Sequence, residues 1–165
     1  VSGTHREIER VWLLAAQPCI PPGAERWAIE QGYLDAHSGI EGRIRRIMHH
    51  DGRCEFVHTR KSGEGLVREE SERTITREDF DAMWPMTAGR RIRKVRHRVR
   101  EGALVWEIDE FLDWPLRMAE VELPDESTPV VPPAWLRAVL GPEVTHDPRY
   151  RNSSLAFTGL PAVGS

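Results

Sequence analysis

Carboxylates and cations recur at every second position along this sequence. Glu7 and Glu9, Glu70 and Glu72, Glu107 and Asp109, and Glu120 and Glu122 form acidic pairs. Arg43 with Arg45 and Lys94 with Arg96 form basic ones, and Arg68 joins the face of Glu70. On an extended strand, residues two apart point the same way, so each pair is a short wall of one sign. Ile8, Ile44, Val95, Ile108 and Val121 then belong to the opposite face. Carboxylate oxygens suit hard divalent cations, and rows of guanidinium and ammonium groups suit the oxygens of a polyanion. A metal-bridged polyphosphate satisfies both walls at once.

An ordinary sheet buries its apolar face and leaves the charged one to water, which accounts for any single strand taken alone. Repetition argues otherwise. A solvated face tends to mix signs within a strand, whereas here whole strands carry one sign. The arrangement that uses this pattern is a closed antiparallel barrel, with apolar outer positions covered by helices and a charged, water-filled lumen. Closure also removes exposed sheet edges.

The elements that would position these walls follow from period-two patterning. Eight strands are predicted: Arg6–Leu14, Arg26–Asp35, Glu41–His49, Arg53–Lys61, Leu66–Ile75, Arg90–Arg100, Ala103–Leu112 and Leu116–Leu123. Turn residues mark Pro21-Pro22-Gly23, Ser38-Gly39 and Ser62 to Gly65. Asp51-Gly52 and Glu101-Gly102 have the length of two-residue hairpin connections. Thr76 caps a predicted helix to Met83, with Asp79 at the reciprocal capping position and Phe80, Met83 and Trp84 on one face. A second helix starts near Pro132-Pro133, carries Trp135, Leu136, Val139 and Leu140, and stops at Gly141-Pro142. The tail after Asn152 reads as loosely ordered. One domain spans 1–165, with its core over about 5–156. The fold class is mainly β within α+β.

Composition narrows the function classes. Hydrophobic residues at 39% and charged residues at 30% describe a folded, charge-rich chain. The formal net charge of -3 lacks the basic excess of a general nucleic-acid binder. Cys19 and Cys54 stand far apart, outside any C-x-x-C pair, which suits a reduced, cytoplasmic protein. Val1 to Arg10 lacks a signal-peptide pattern, and no apolar run approaches bilayer length. His49-His50 reads as a solvated strand end. Among 23 basic residues only Lys61 and Lys94 are lysines, which singles out two places where a compact ammonium is used in place of a planar guanidinium.

In order along the chain, Glu7-Ile8-Glu9-Arg10, Gln31-Gly32-Tyr33-Leu34, Gly42-Arg43-Ile44-Arg45, Thr59-Arg60-Lys61 and Arg68-Glu69-Glu70-Ser71-Glu72 are followed by Lys94-x-Arg96, Trp106-Glu107-Ile108-Asp109-x-Phe111 and Ala119-Glu120-Val121-Glu122-Leu123. Glu143-Val144-Thr145 and Arg149-Tyr150-x-Asn152 complete the series. The set resembles the CYTH, or triphosphate tunnel, family over nearly the whole chain. That resemblance implies an eight-stranded antiparallel barrel that hydrolyses a triphosphate, most simply inorganic tripolyphosphate, with Mg²⁺ or Mn²⁺. It implies metal ligands at Glu7, Glu9, Glu120, Glu122 and Asp109. Phosphate contacts fall at Arg43, Arg45, Lys61, Arg68, Lys94 and Arg96, and a catalytic pair at Tyr33 and Lys61.

The departure from the family pattern is Val11, which stands where the opening motif carries Lys, on the face of Glu7 and Glu9. Alternatives of other kinds stay open: a thiamine triphosphatase, a class IV type adenylate cyclase, or a non-catalytic polyphosphate-binding module. The partner expected is a small triphosphate, with no nucleic acid and no membrane. The sequence sets no oligomeric state and leaves a homodimer open.

Overall fold

A computed structural model describes residues 3–35, 42–62 and 67–162, apart from the side chains of 3–5, 62, 67 and 68. Long alternating segments become strands β1 (Gly3–Leu14), β2 (Glu25–Tyr33), β3 (Arg43–His49), β4 (Cys54–Ser62) and β5 (Val67–Thr74). They continue as β6 (Arg91–Glu101), β7 (Leu104–Phe111), β8 (Arg117–Glu122) and the short β9 (Leu140–Glu143). Sheet order is β5-β4-β3-β2-β6-β7-β8-β1-β9. An antiparallel pairing of β1 with β5, Gly3 opposite Glu72 through Ile8 opposite Val67, closes the sheet into an eight-stranded barrel. β1 is long enough to serve three partners. Its first half pairs with β5, Glu9 to Leu13 pair with β8, and Trp12 and Leu14 reach β9.

The two faces part as alternation requires. Outside, Ile8, Trp12, Trp106, Ile108, Ala119 and Val121 form an apolar layer. The single turn of α2 (Ala134–Arg137) covers it by seating Leu136, which is fully buried. Elsewhere on the outer wall, α1 (Arg77–Met83) lays Phe80 and Met83 on Leu34 and Ile44. Thr76 caps α1, its hydroxyl accepting from the Asp79 N–H at 3.0 Å. Gly32 on β2 allows this wall to close: a Cβ there would come 2.5 Å from the buried Thr87 side chain.

One end of the lumen is filled by apolar packing. Ile92, Phe111, Leu116 and Met118 meet Leu155 and Ala156 of α3 (Asn152–Thr158), with Val11, Leu13 and Tyr33 packed against them. Val11 therefore shares the face of Glu7 and Glu9, at the level where the lining changes from charge to this floor.

Several sequence expectations are corrected. The tail is helical over 152–158, because Leu155 and Ala156 gain an apolar site that exists only once the barrel has closed. The second predicted helix is one turn long. Leu140 leaves it to pair with Leu14 in the β1–β9 ladder, where a Cβ on Gly141 would sit 2.8 Å from the Leu13 carbonyl oxygen. The β6–β7 loop is Gly102-Ala103, one residue later than expected, since Glu101 still pairs with Leu104. Between β3 and β4, His49 N–H bonds the Arg53 carbonyl, so the loop is His50-Asp51-Gly52 with Gly52 at positive φ. The turn at Ser38-Gly39 and the residues 63–65 of the next turn lie outside the described residues.

This packing predicts that Leu155→Ala lowers stability by about 2–5 kcal/mol, the cost of a cavity at a fully buried leucine. Urea unfolding measures it, and a loss below about 1 kcal/mol would mean that α3 does not seal the floor.

Candidate active site

Above the apolar floor, the inward side chains of the eight strands line a cavity of about 1350 Å³. Three buried charge clusters organise it, each assembled from different strands by register.

The first joins β1, β4 and β5. Lys61 stands opposite Glu70, its ammonium 2.8 Å from Glu70 Oε2. Across the closure, Lys61 donates to both Glu7 oxygens at 2.7 and 2.8 Å. Burial would raise the Glu70 carboxyl, but the charge and hydrogen bond of Lys61, with Arg43 and Arg45 behind it, outweigh burial and hold it down at about 2.

The second cluster joins β6, β7 and β8 around Asp109, which is fully buried. Lys94 donates to Asp109 Oδ2 at 2.7 Å, and Arg96 grips both oxygens at 2.7 and 2.8 Å. Arg96 also donates to Glu120 at 2.7 Å and pairs with Glu107. Burial raises the Asp109 carboxyl less than Arg96 and Lys94 lower it, so it lies below the usual carboxylate range. For Arg96, burial is outweighed by Asp109, Glu107 and Glu120, which hold its pKa well above the ordinary value. Lys94 is pushed down, by burial first and Arg96 second. Its ammonium also donates to Asn152 Oδ1 at 3.1 Å, so α3 touches the site as well as the floor.

The third cluster, Arg43 and Arg45 on β3, is different. Arg45 Nη2 donates to Glu72 at 2.8 Å, yet the Nε groups of both arginines are buried without a hydrogen-bond partner among the described residues. Burial, then the like charges of Arg43 and Arg96, push Arg45 down to about 10. Like charge is crowded around Arg45, a state that a nearby anion relieves.

Carboxylates gather opposite. Glu9 faces Glu122 across β1 and β8, and Glu107 faces Glu120 across β7 and β8. Like charges directly opposite destabilise a sheet and a cation between them relieves this, as Arg96 does for Glu107 and Glu120. Among the described residues, no group of three or more His, Cys, Asp or Glu is drawn close enough to hold a metal ion. The oxygen-only donors Glu7, Glu9, Glu120 and Glu122 are nonetheless the chemistry that a hard divalent cation takes, and they fit one in kind.

The sequence-predicted residues thus meet in one lumen: Tyr33, Arg43, Arg45, Lys61, Lys94 and Arg96 with Glu7, Glu9, Asp109, Glu120 and Glu122. The Arg68 side chain lies outside the described residues. Both Asp109 oxygens are committed to cations. Sequence reading gave no role to Glu70, Glu72 or Glu107, although alternation had placed them on the same faces. It also missed Arg98, two residues past Arg96 and bonded to Glu107 at 3.1 Å. His49 is buried rather than solvated, 5.0 Å from the Trp27 ring and beside Glu55.

No protein-family model matches the chain. It is 38% identical over 161 residues to an inorganic triphosphatase of Nitrosomonas europaea, an alignment covering 92% of this chain and 97% of that one. A stretch of 66 residues is 46% identical to an inorganic triphosphatase of Acetivibrio thermocellus, covering 39% of this chain and 40% of the relative. Among solved structures, the chain is similar to the crystal structure of the inorganic triphosphatase NE1496, 34% identical, with 94% of this chain and 97% of that chain covered and a TM-score of 0.64.

The depressed Glu70 carboxyl carries a pH prediction. Its pKa in the fold lies below the ordinary value of 4.5, so its contribution is complete above that value and is lost as pH falls toward 2. Glu70→Gln should flatten the acid arm of a stability profile between about pH 5 and pH 2. An unchanged slope in urea unfolding would show that Lys61 does not stabilise the Glu70 charge.

Proposed function

We propose that this chain, which belongs to the inorganic triphosphatase family, hydrolyses inorganic tripolyphosphate to diphosphate and phosphate within its charged tunnel, with Mg²⁺ or Mn²⁺. The observation that carries the reading is the crowded pair Arg43 and Arg45. Arg45 is buried with its pKa pushed down, Arg43 beside it is half-buried, and neither Nε has a hydrogen-bond partner among the described residues. Positive charge held in this way is stabilised by a polyanion.

In this reading the basic side chains bind and orient an extended triphosphate, and their fixed position lets them stabilise charge as it develops without reorganising. Arg43 and Arg45 take the phosphate oxygens first. Asp109 is read as the anchor that holds Lys94 and Arg96 in place, in preference to the metal-ligand role that the family resemblance implied. Glu7, Glu9, Glu120 and Glu122 are the residues that would hold a divalent cation, which supplies Lewis acidity to phosphate and water. Lys61, held between Glu7 and Glu70, lines the same lumen as Tyr33 and contributes its ammonium to the binding of the phosphate chain.

The test is phosphate release from tripolyphosphate, ATP and thiamine triphosphate, each with Mg²⁺, with Mn²⁺ and with chelator. Tripolyphosphate should be the preferred substrate and chelator should abolish turnover. Faster formation of cyclic AMP from ATP would sink the reading, and metal-dependent binding without turnover would make the chain a binding module. Glu122→Gln keeps shape but loses a hard ligand. It should lower turnover by at least about an order of magnitude and raise the metal concentration required, with an unchanged melting curve.

A further inference from the structure

Gln31 sits on the inward face of β2 between Ile29 and Tyr33, opposite Arg45 on β3 and Ile92 on β6. It is fully buried, and its amide oxygen has no hydrogen-bond partner among the described residues. An unpaired buried acceptor is costly, and an apolar residue of the same length would avoid that cost. What the amide does make is a bond from Nε2 to the Tyr33 hydroxyl oxygen at 3.0 Å. Arg43 stands opposite Tyr33 on β3.

A phenolic oxygen has one proton to give and room to accept about two. With Gln31 Nε2 donating to it, that side of the oxygen is taken and its own proton is left to point elsewhere. The Tyr33 ring packs on the floor and its edge lines the cavity, so the open direction is the lumen. We infer that Gln31 is a positioning residue which turns Tyr33 into a hydrogen-bond donor toward a phosphate oxygen in the tunnel and away from any role as proton acceptor. The inference rests on the proposed reading of Tyr33 as a group that touches substrate. It gives a physical reason for a buried glutamine two residues before that tyrosine. No proton is transferred: Tyr33 donates a hydrogen bond whose value grows as charge collects on the phosphate oxygens.

The experiment is a double-mutant cycle on the full chain, reading kcat and KM for tripolyphosphate at saturating Mg²⁺. Gln31→Met keeps length and removes the donor. It should lower kcat roughly tenfold, the effect of one ordinary hydrogen bond, and leave KM within about twofold. In a Tyr33→Phe background the same change should have no further effect on kcat, because Gln31 acts only through the hydroxyl. Losses that multiply, or a Gln31→Met enzyme with wild-type kcat beside an impaired Tyr33→Phe, would overturn the inference. A fully active Tyr33→Phe enzyme would overturn the reading of Tyr33 itself, and the inference with it. If Gln31→Met does not fold, Gln31→Glu takes its place in the cycle. Its carboxylate accepts the Tyr33 proton and draws it from the lumen, so a loss of similar size, again absent in Tyr33→Phe, supports the inference, and wild-type kcat overturns it.

Discussion

Charge held away from bulk water governs this molecule. Asp109, Lys94, Arg96, Arg45, Glu7 and Glu70 are all buried in a closed sheet. Desolvating any one of them alone is prohibitive, so each must find partners of opposite sign at short range. The barrel meets this demand by register. Lys61 reaches Glu70 on the neighbouring strand and Glu7 across the closure. Asp109 stands opposite Arg96 and collects Lys94 from the same strand. A slip of one residue in either pairing would send these side chains to the outer face, where Ile8, Ile108 and Val121 now pack. The ion pairs and the strand pairing therefore select the same arrangement.

That arrangement is not electrically complete. Arg96 is matched by three carboxylates, whereas the Nε groups of Arg43 and Arg45 are buried without a partner among the described residues. On the opposite wall Glu9 faces Glu122 and Glu107 faces Glu120, the second pair bridged by Arg96. Crowded like charge costs stability and is relieved by ligands of opposite sign. This is how a fold can store affinity for an anion and a cation together in one cavity.

The apolar floor makes the asymmetry of the tunnel possible. Leu155 and Ala156 of α3 close one end against Ile92, Phe111 and Met118. Asn152, on the same helix, bonds Lys94. One short segment thus seals the barrel and touches its charge network, so the packing of the floor and the position of the Lys94 ammonium are linked through a single element.

Sequence alone determined the strands and their faces, because alternation is local: Glu7 and Glu9, Lys94 and Arg96, Glu120 and Glu122 must project together wherever the strand is placed. The same periodicity made a barrel with a charged lumen legible, and the ordered motifs made the family legible. Which strands meet was decided only in three dimensions. Nothing local says that Lys61 reaches Glu7 or that β1 serves β5, β8 and β9 in turn, since those contacts join residues far apart in the chain. Helix α3 and strand β9 were missed for a related reason. Segments of seven and four residues carry too little periodic signal, and too little intrinsic stability, to be specified by themselves. They take their form from the floor and the edge that the closed barrel offers them.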